Sequence, residues 1–194
     1  MSANVKNVHY DSVRKVLEFN INILIFLAMF VYNKYEERMM SMDKFMQQAR
    51  DMARDGANRN DGGPFGAVII DKDGNIIAKG NNKVIVSHDP TAHAEIVAIR
   101  EASKKLNTHD LSDYILYTSC EPCPMCLSAI IWANIKKVYY ACTRKDAASI
   151  GFRDDMIYEY LKGNNNDVIE LKEIDREECK SLFEEYKAKN KEIY

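Results

Sequence analysis

Two short stretches, His93-Ala94-Glu95 and Pro122-Cys123-Pro124-Met125-Cys126, constrain this chain more than any other feature. An imidazole and two thiolates can fill three corners of a tetrahedron around a Zn²⁺ ion and leave the fourth to water. That is the arrangement of reactive rather than closed structural sites. Zinc lowers the pKa of its water from ~15.7 to ~7, so a nucleophile is at hand at neutral pH. Cys123 and Cys126 stand three apart at the start of a predicted helix, which puts both thiols on one face. Helix N-terminal amides favour the thiolate form, and Pro124 suits a first helical turn, where its missing N–H costs nothing. His93 opens a second predicted helix, so two helix starts converge on one ion. Glu95, two positions on, points to a different side and reaches the bound water rather than the metal. A general base needs that reach before it needs a suitable pKa.

A CxxC pair alone also occurs in redox couples and closed zinc knots; the upstream His-x-Glu favours the open site here. Cys120 and Cys123 form an overlapping CxxC, but an iron–sulfur cluster needs a fourth thiolate, and Cys142 and Cys179 are remote in sequence. Cys120 is therefore expected to be a packed thiol near the metal, Cys142 a core residue at a strand end and Cys179 a surface helix residue. Glu101 and Glu121 are expected to be solvated. His9, His88 and His109 lack partners at metal spacing.

The 194 residues suffice for one ordinary domain with a complete core. Five cysteines, three of them within residues 120–126, point to metal and a reducing cytoplasm rather than a disulfide framework. The first 41 residues stand apart. Residues 23–32 (ILIFLAMFVY) form a dense apolar run, too short for a bilayer span of roughly 20 residues. Residues 1–41 are read as a leader: either upstream text ahead of a start at Met39, Met40 or Met42, or an amphipathic interfacial helix. The domain proper is expected over 42–194. There the pattern gives a helix over 42–55, a hairpin of 67–70 and 76–79 about an Asp73-Gly74-Asn75 turn, and further strand at 83–86. A helix over 92–106, a strand at 114–118, a helix over 124–133 and a strand at 137–141 follow. A short strand at 168–171 and a closing helix over 177–188 complete the chain. Alternating elements of this kind imply an α/β three-layer sandwich, a mixed sheet of about five strands flanked by helices.

The spacing H-x-E…P-C-x-x-C is the signature of zinc-dependent base deaminases. With it the chain resembles the cytidine-deaminase-like superfamily, and within it the bacterial guanine deaminases of that fold. The similarity runs over 42–194 and is densest in residues 62–67 (GGPFGA), 89–95 (DPTAHAE), 118–126 (TSCEPCPMC) and 146–152 (DAASIGF). The first three are shared among purine deaminases; the fourth, with the ending 191–194 (KEIY), points to guanine. The resemblance implies one zinc per subunit and a place in purine catabolism or salvage. It also implies a homodimer in which the C-terminal segment is exchanged between subunits. By the same resemblance Asn82 reads the base edge, Phe65 and Trp132 line the base pocket, Asp154 serves guanine selectivity and Tyr194 closes the pocket. The backbone N–H of Ala94 or Cys123 would support developing charge. By spacing alone, Trp132 could equally be core, Phe65 a turn anchor and Asp154 a solvated acid.

Other readings stay open at this stage. A tRNA adenosine deaminase would use the same metal site on a flipped base, yet the whole chain carries net −2 with a pI near 6.1, which disfavours a polyanion partner. A guanosine or cytidine nucleoside deaminase is a second alternative. A zinc-stabilised binding domain is the non-enzymatic one, although a purely structural site has no need of an open corner beside Glu95.

Overall fold

The computed structural model describes residues 3–164 and 167–191. The chain divides into two compact units, Met1–Phe45 and Met46–Tyr194, and helix α1, Ala3–Asn58, contributes to both. In the first unit the apolar residues 23–32 lie inside α1 with their side chains exposed. Among the described residues, no helix is long and apolar enough to cross a membrane.

The second unit is built on a four-stranded sheet of order β2-β1-β3-β4, with β1 at Gly66–Ile70, β2 at Ile76–Asn81, β3 at Ile115–Cys120 and β4 at Lys137–Cys142. Asp71 makes the β1–β2 hairpin turn: its Oδ1 accepts the N–H groups of Asp73 at 2.9 Å and Asn75 at 2.8 Å, and Gly74 supplies the positive φ of 84°. β1 pairs antiparallel with β2 and with β3, whereas β3 and β4 run parallel. A parallel pair needs a crossover, here α4, Pro124–Trp132. Gly66 pairs with Asn81 and Ala67 with Gly80, so the two glycines face opposite sides of the sheet. A side chain on Gly66 would run into the backbone of Ala49 and Ala53 in α1, and one on Gly80 into the backbone of Ala94 and Ala98 in α3, Ala94–Leu106. Helices thus press on both faces at backbone contact, which makes the α/β sandwich three layers deep. Ile69 and Leu116 of the sheet, Ala98 and Ala102 of α3 and Ile130 of α4 share one buried cluster.

Among the described residues the sheet has four strands where about five were expected. Residues 83–86 do not extend it. They enter a short helix, α2, Val84–Ser87, because Asn82 Oδ1 accepts the Val84 N–H and the Asp61 carbonyl accepts those of Ile85 and Val86. Residues 168–171 pair with no strand among the described residues and lie exposed. Two short helices escaped the sequence reading: α5, Arg144–Ser149, started by a reciprocal Thr143–Asp146 capping box, and α6, Asp155–Leu161. The closing helix α7 spans Arg176–Ala188.

Candidate active site

Two helix starts meet over the sheet. His93 is the N-cap of α3 and Cys123 the N-cap of α4, both in extended backbone, with Pro124 in the first turn of α4. His93 Nδ1 lies 3.5 Å from both Cys123 Sγ and Cys126 Sγ. Among the described residues, His93, Cys123 and Cys126 form the group of possible metal ligands, their donor atoms within 4.8 Å of one another. Tetrahedral coordination with Zn–S near 2.3 Å and Zn–N near 2.05 Å demands a sulfur–nitrogen separation of about 3.6 Å. The observed spacing fits that ion. The Cys123 thiol is pushed down to about 4 by the hydrogen bond from Cys126 and then by His93, against burial. Cys126 is pushed up by the same bond and by burial, and His93 is raised chiefly by its contact with Cys123. Metal binding resolves this sharing of protons by taking both sulfurs as thiolates.

Glu95, in the first turn of α3, is buried beside these ligands. Its Oε1 accepts the Thr118 hydroxyl at 3.0 Å and its Oε2 lies 3.5 Å from Cys126 Sγ. Burial holds its carboxyl above the usual range.

A cavity of about 130 Å³ opens over this cluster, lined by Phe65, Asn82, His93, Glu95, Cys123 and Asp154 among the residues singled out in the sequence. Asn82 Oδ1 accepts the N–H groups of Gly63 at 3.3 Å and Val84 at 3.1 Å. Its carbonyl end is thereby committed to the backbone, and the amide it can offer a ligand is the N–H₂ donor. Phe65 meets Phe152 edge to face, centroids 5.0 Å apart. Asp154, the N-cap of α6, is raised by burial and by the Cys123 thiolate, against the pull of Arg144. Ala94, buried, follows His93 at the head of α3.

Trp132 does not join the cavity: it ends α4 and is 72% exposed. Tyr194 lies outside the described residues. Phe152, Arg144, Arg153 and Ala147 also line the cavity and were not singled out, although Phe152 and Ala147 fall in the 146–152 stretch. Glu121 is not a merely solvated acid. It lines the cavity and accepts the Arg144 N–H at 3.1 Å. Cys120 is a buried thiol pushed up to about 11, mainly by burial, near the Thr143 carbonyl at 3.6 Å. Cys142 is exposed rather than core, because β4 is an edge strand; Cys179 is exposed, as expected.

Residues 39–142 match the family model of the cytidine and deoxycytidylate deaminase zinc-binding region. The chain belongs to this family of zinc-dependent deaminases, hydrolases acting on C–N bonds, and its His/Cys/Cys group fits the one zinc per subunit that the family carries. Within the family it is similar to the guanine deaminase of Bacillus subtilis (strain 168), 56% identical over 122 residues, 63% of this chain and 78% of that protein. The X-ray structure of guanine deaminase from Bacillus subtilis superposes with a TM-score of 0.74 at 47% identity, covering 78% of this chain and 98% of that one. A tRNA-specific adenosine deaminase of Haemophilus influenzae is 34% identical over 150 residues, 77% of this chain and 85% of that protein.

Proposed function

We propose that this protein hydrolyses guanine to xanthine and ammonia. The observation that carries the reading is the joining of Asp154 and Asn82 to the Glu95–Cys123–His93 cluster in one cavity. An acid acceptor and an amide donor in one cavity complement the donor and acceptor groups of a guanine ring, and the likeness to guanine deaminases supports the same substrate. Zinc held by His93, Cys123 and Cys126 supplies an activated water near neutral pH. Glu95 accepts the proton that this water loses as it adds to C2. It passes that proton to the ring nitrogen, then takes the second proton from the hydroxyl now on C2 and passes it to the departing amine, so one carboxylate serves twice. Its burial suits that role, since a carboxyl raised above its ordinary range is a stronger base. Asn82 donates to the base edge, Phe65 and Phe152 wall the ring, and Asp154 accepts from the N–H groups that distinguish guanine. The backbone at Ala94 and Cys123, at two helix starts, lies where developing charge is best tolerated.

The proposal extends to the assembly. Trp132, Phe183 and Ile174 are large apolar residues left exposed on one chain, which supports a homodimer that exchanges its C-terminal segment and brings Trp132 and Tyr194 to the pocket. A cytoplasmic place in purine salvage accords with five free cysteines and with this substrate. The test is ammonia release from the zinc-loaded protein over guanine, guanosine, adenine, cytosine and a tRNA anticodon stem-loop. Turnover confined to guanine supports the reading. A preference for the stem-loop overturns it in favour of the tRNA enzyme.

A further inference from the structure

Thr118 sits in the middle of the sheet, in β3, paired with Ala67 of β1 on one side and Tyr140 of β4 on the other. It is 1% exposed. A hydroxyl costs free energy at such a position unless it is hydrogen-bonded, and valine would give the strand the same β-branched shape without that cost. The bond the hydroxyl makes is to Glu95 Oε1, at 3.0 Å. The neighbouring hydroxyl, on Ser119, is used differently: it accepts the Gly66 N–H at 3.0 Å and so ties the end of β3 to the backbone at the start of β1. Thr118 is thus a polar group of the core directed at a carboxylate of the site.

We propose that Thr118 is a positioning residue that fixes which oxygen of Glu95 performs the proton transfers. This rests on the reading of Glu95 as the proton carrier. A β-branched side chain has one strongly preferred χ1 in a packed setting, so Thr118 is a stiff donor on a stiff strand. Its bond holds Oε1 against the sheet and sets the plane of the carboxylate. Oε2 is then the oxygen turned to the metal ligands, 3.5 Å from Cys126 Sγ, where it meets the attacking water. Without the hydroxyl the carboxylate rotates about its terminal torsion, which is broad and nearly two-fold, and neither oxygen is held at the transfer distance.

The experiment compares Thr118→Val, Thr118→Ser, Glu95→Gln and the Thr118→Val/Glu95→Gln double variant, each with zinc content measured. A misplaced catalytic group costs on the order of 100-fold. Thr118→Val is expected to keep stoichiometric zinc and its KM for guanine while kcat falls about 10- to 100-fold. Thr118→Ser, which retains the hydroxyl, is expected to recover kcat to within about threefold. In the Glu95→Gln background, Thr118→Val should change kcat by less than about twofold, because a residue acting through Glu95 has nothing left to position. Wild-type kcat in Thr118→Val, a serine variant no better than valine, or an undiminished effect of Thr118→Val without Glu95 would each overturn the positioning role. Wild-type turnover in metallated Glu95→Gln would remove the proton carrier itself and the positioning role with it. An inactive Glu95→Gln beside a fully active Thr118→Val would remove the positioning role alone.

Discussion

Glu95→Gln isolates the chemistry from the packing. Glu95 is 5% exposed and its surroundings are fixed: the Thr118 hydroxyl on Oε1 and Cys126 beside Oε2. Glutamine has nearly the same volume, and its carbonyl oxygen can accept the Thr118 hydroxyl as Oε1 does. What disappears is the ability to accept a proton. A positioned acid–base group contributes about 10²- to 10⁴-fold in rate. Because Glu95 would act in both the attack and the departure of the amine, the upper end is expected, about 10⁴ in kcat. At about 1.36 kcal/mol per tenfold, that is about 5 kcal/mol of transition-state stabilisation. Stability should move the other way. Burial raises the Glu95 carboxyl above its ordinary 4.5, so the folded metal-free protein holds that proton more tightly than the unfolded chain. The resulting stability is fully present below pH 4.5 and is lost as pH rises through the folded value. The neutral glutamine escapes that loss, so the metal-free variant should melt no lower than wild type at pH 7. The assay is ammonia release by enzyme of verified zinc stoichiometry, with Tm measured after chelation. Metallated Glu95→Gln retaining turnover within tenfold of wild type would refute the reasoning.

Stripping zinc with a chelator should lower Tm reversibly. At free zinc about a thousandfold above Kd the linkage is about 4 kcal/mol, or about 8–16 °C at about 2–4 °C per kcal/mol; His93→Ala should show the low Tm with or without added zinc. Gly80→Ala would place a methyl group 2.7 Å from the Ala98 nitrogen and closer still to the Ala94 carbonyl. Backbone cannot yield as a side chain can, so a loss of about 1–3 kcal/mol is expected by urea unfolding, with a fall in kcat/KM because α3 carries His93 and Glu95. Asp71 is held below its ordinary 3.8 by the Asn75 side chain and by backbone N–H groups of the turn. A depressed carboxylate stabilises above pH 3.8 and ceases to do so as pH falls through its folded value, so Asp71→Asn should flatten the drop in urea midpoint between pH 5 and pH 3.

The legible part of this protein was the part set by local spacing. His93 and the CxxC announce helix starts, and the structure puts them at the N-caps of α3 and α4. The hairpin declared itself through Asp73-Gly74-Asn75. What spacing could not show were contacts made across the chain. Residues 83–86 have the apolar character of a strand, yet the Asp61 carbonyl and the Asn82 side chain take their N–H groups and wind them into α2. Glu121 reads as a surface acid until the Arg144 N–H, 23 positions away, is seen to bind it. Cys142 reads as core because β4 is apolar, but the position of β4 at the edge of the sheet is a property of topology. Phe152 lies in the 146–152 stretch, but its edge-to-face contact with Phe65, 87 residues upstream, is set by the fold.

The residues that assemble within one chain and those that do not differ in what holds them. His93, Glu95, Asn82 and Cys123 hang on strand ends and helix starts fixed by the sheet's own hydrogen bonds and by helices packed at backbone contact. The three candidate metal ligands therefore all lie in the second unit. Trp132 and the apolar side chains of α7, among them Leu182, Phe183 and Tyr186, are exposed. Burying a large apolar side chain is worth about 1.5–3 kcal/mol, comparable in sum to the whole stability of a domain, which is what favours the proposed dimer. In the proposed dimer their cover is the other subunit, and Trp132 turns from surface to wall in the same event. In that proposal water activation belongs to the single chain and closure over the base to the assembly. On that proposal, selectivity for guanine over larger purine-bearing substrates depends on residues remote in sequence from the zinc ligands.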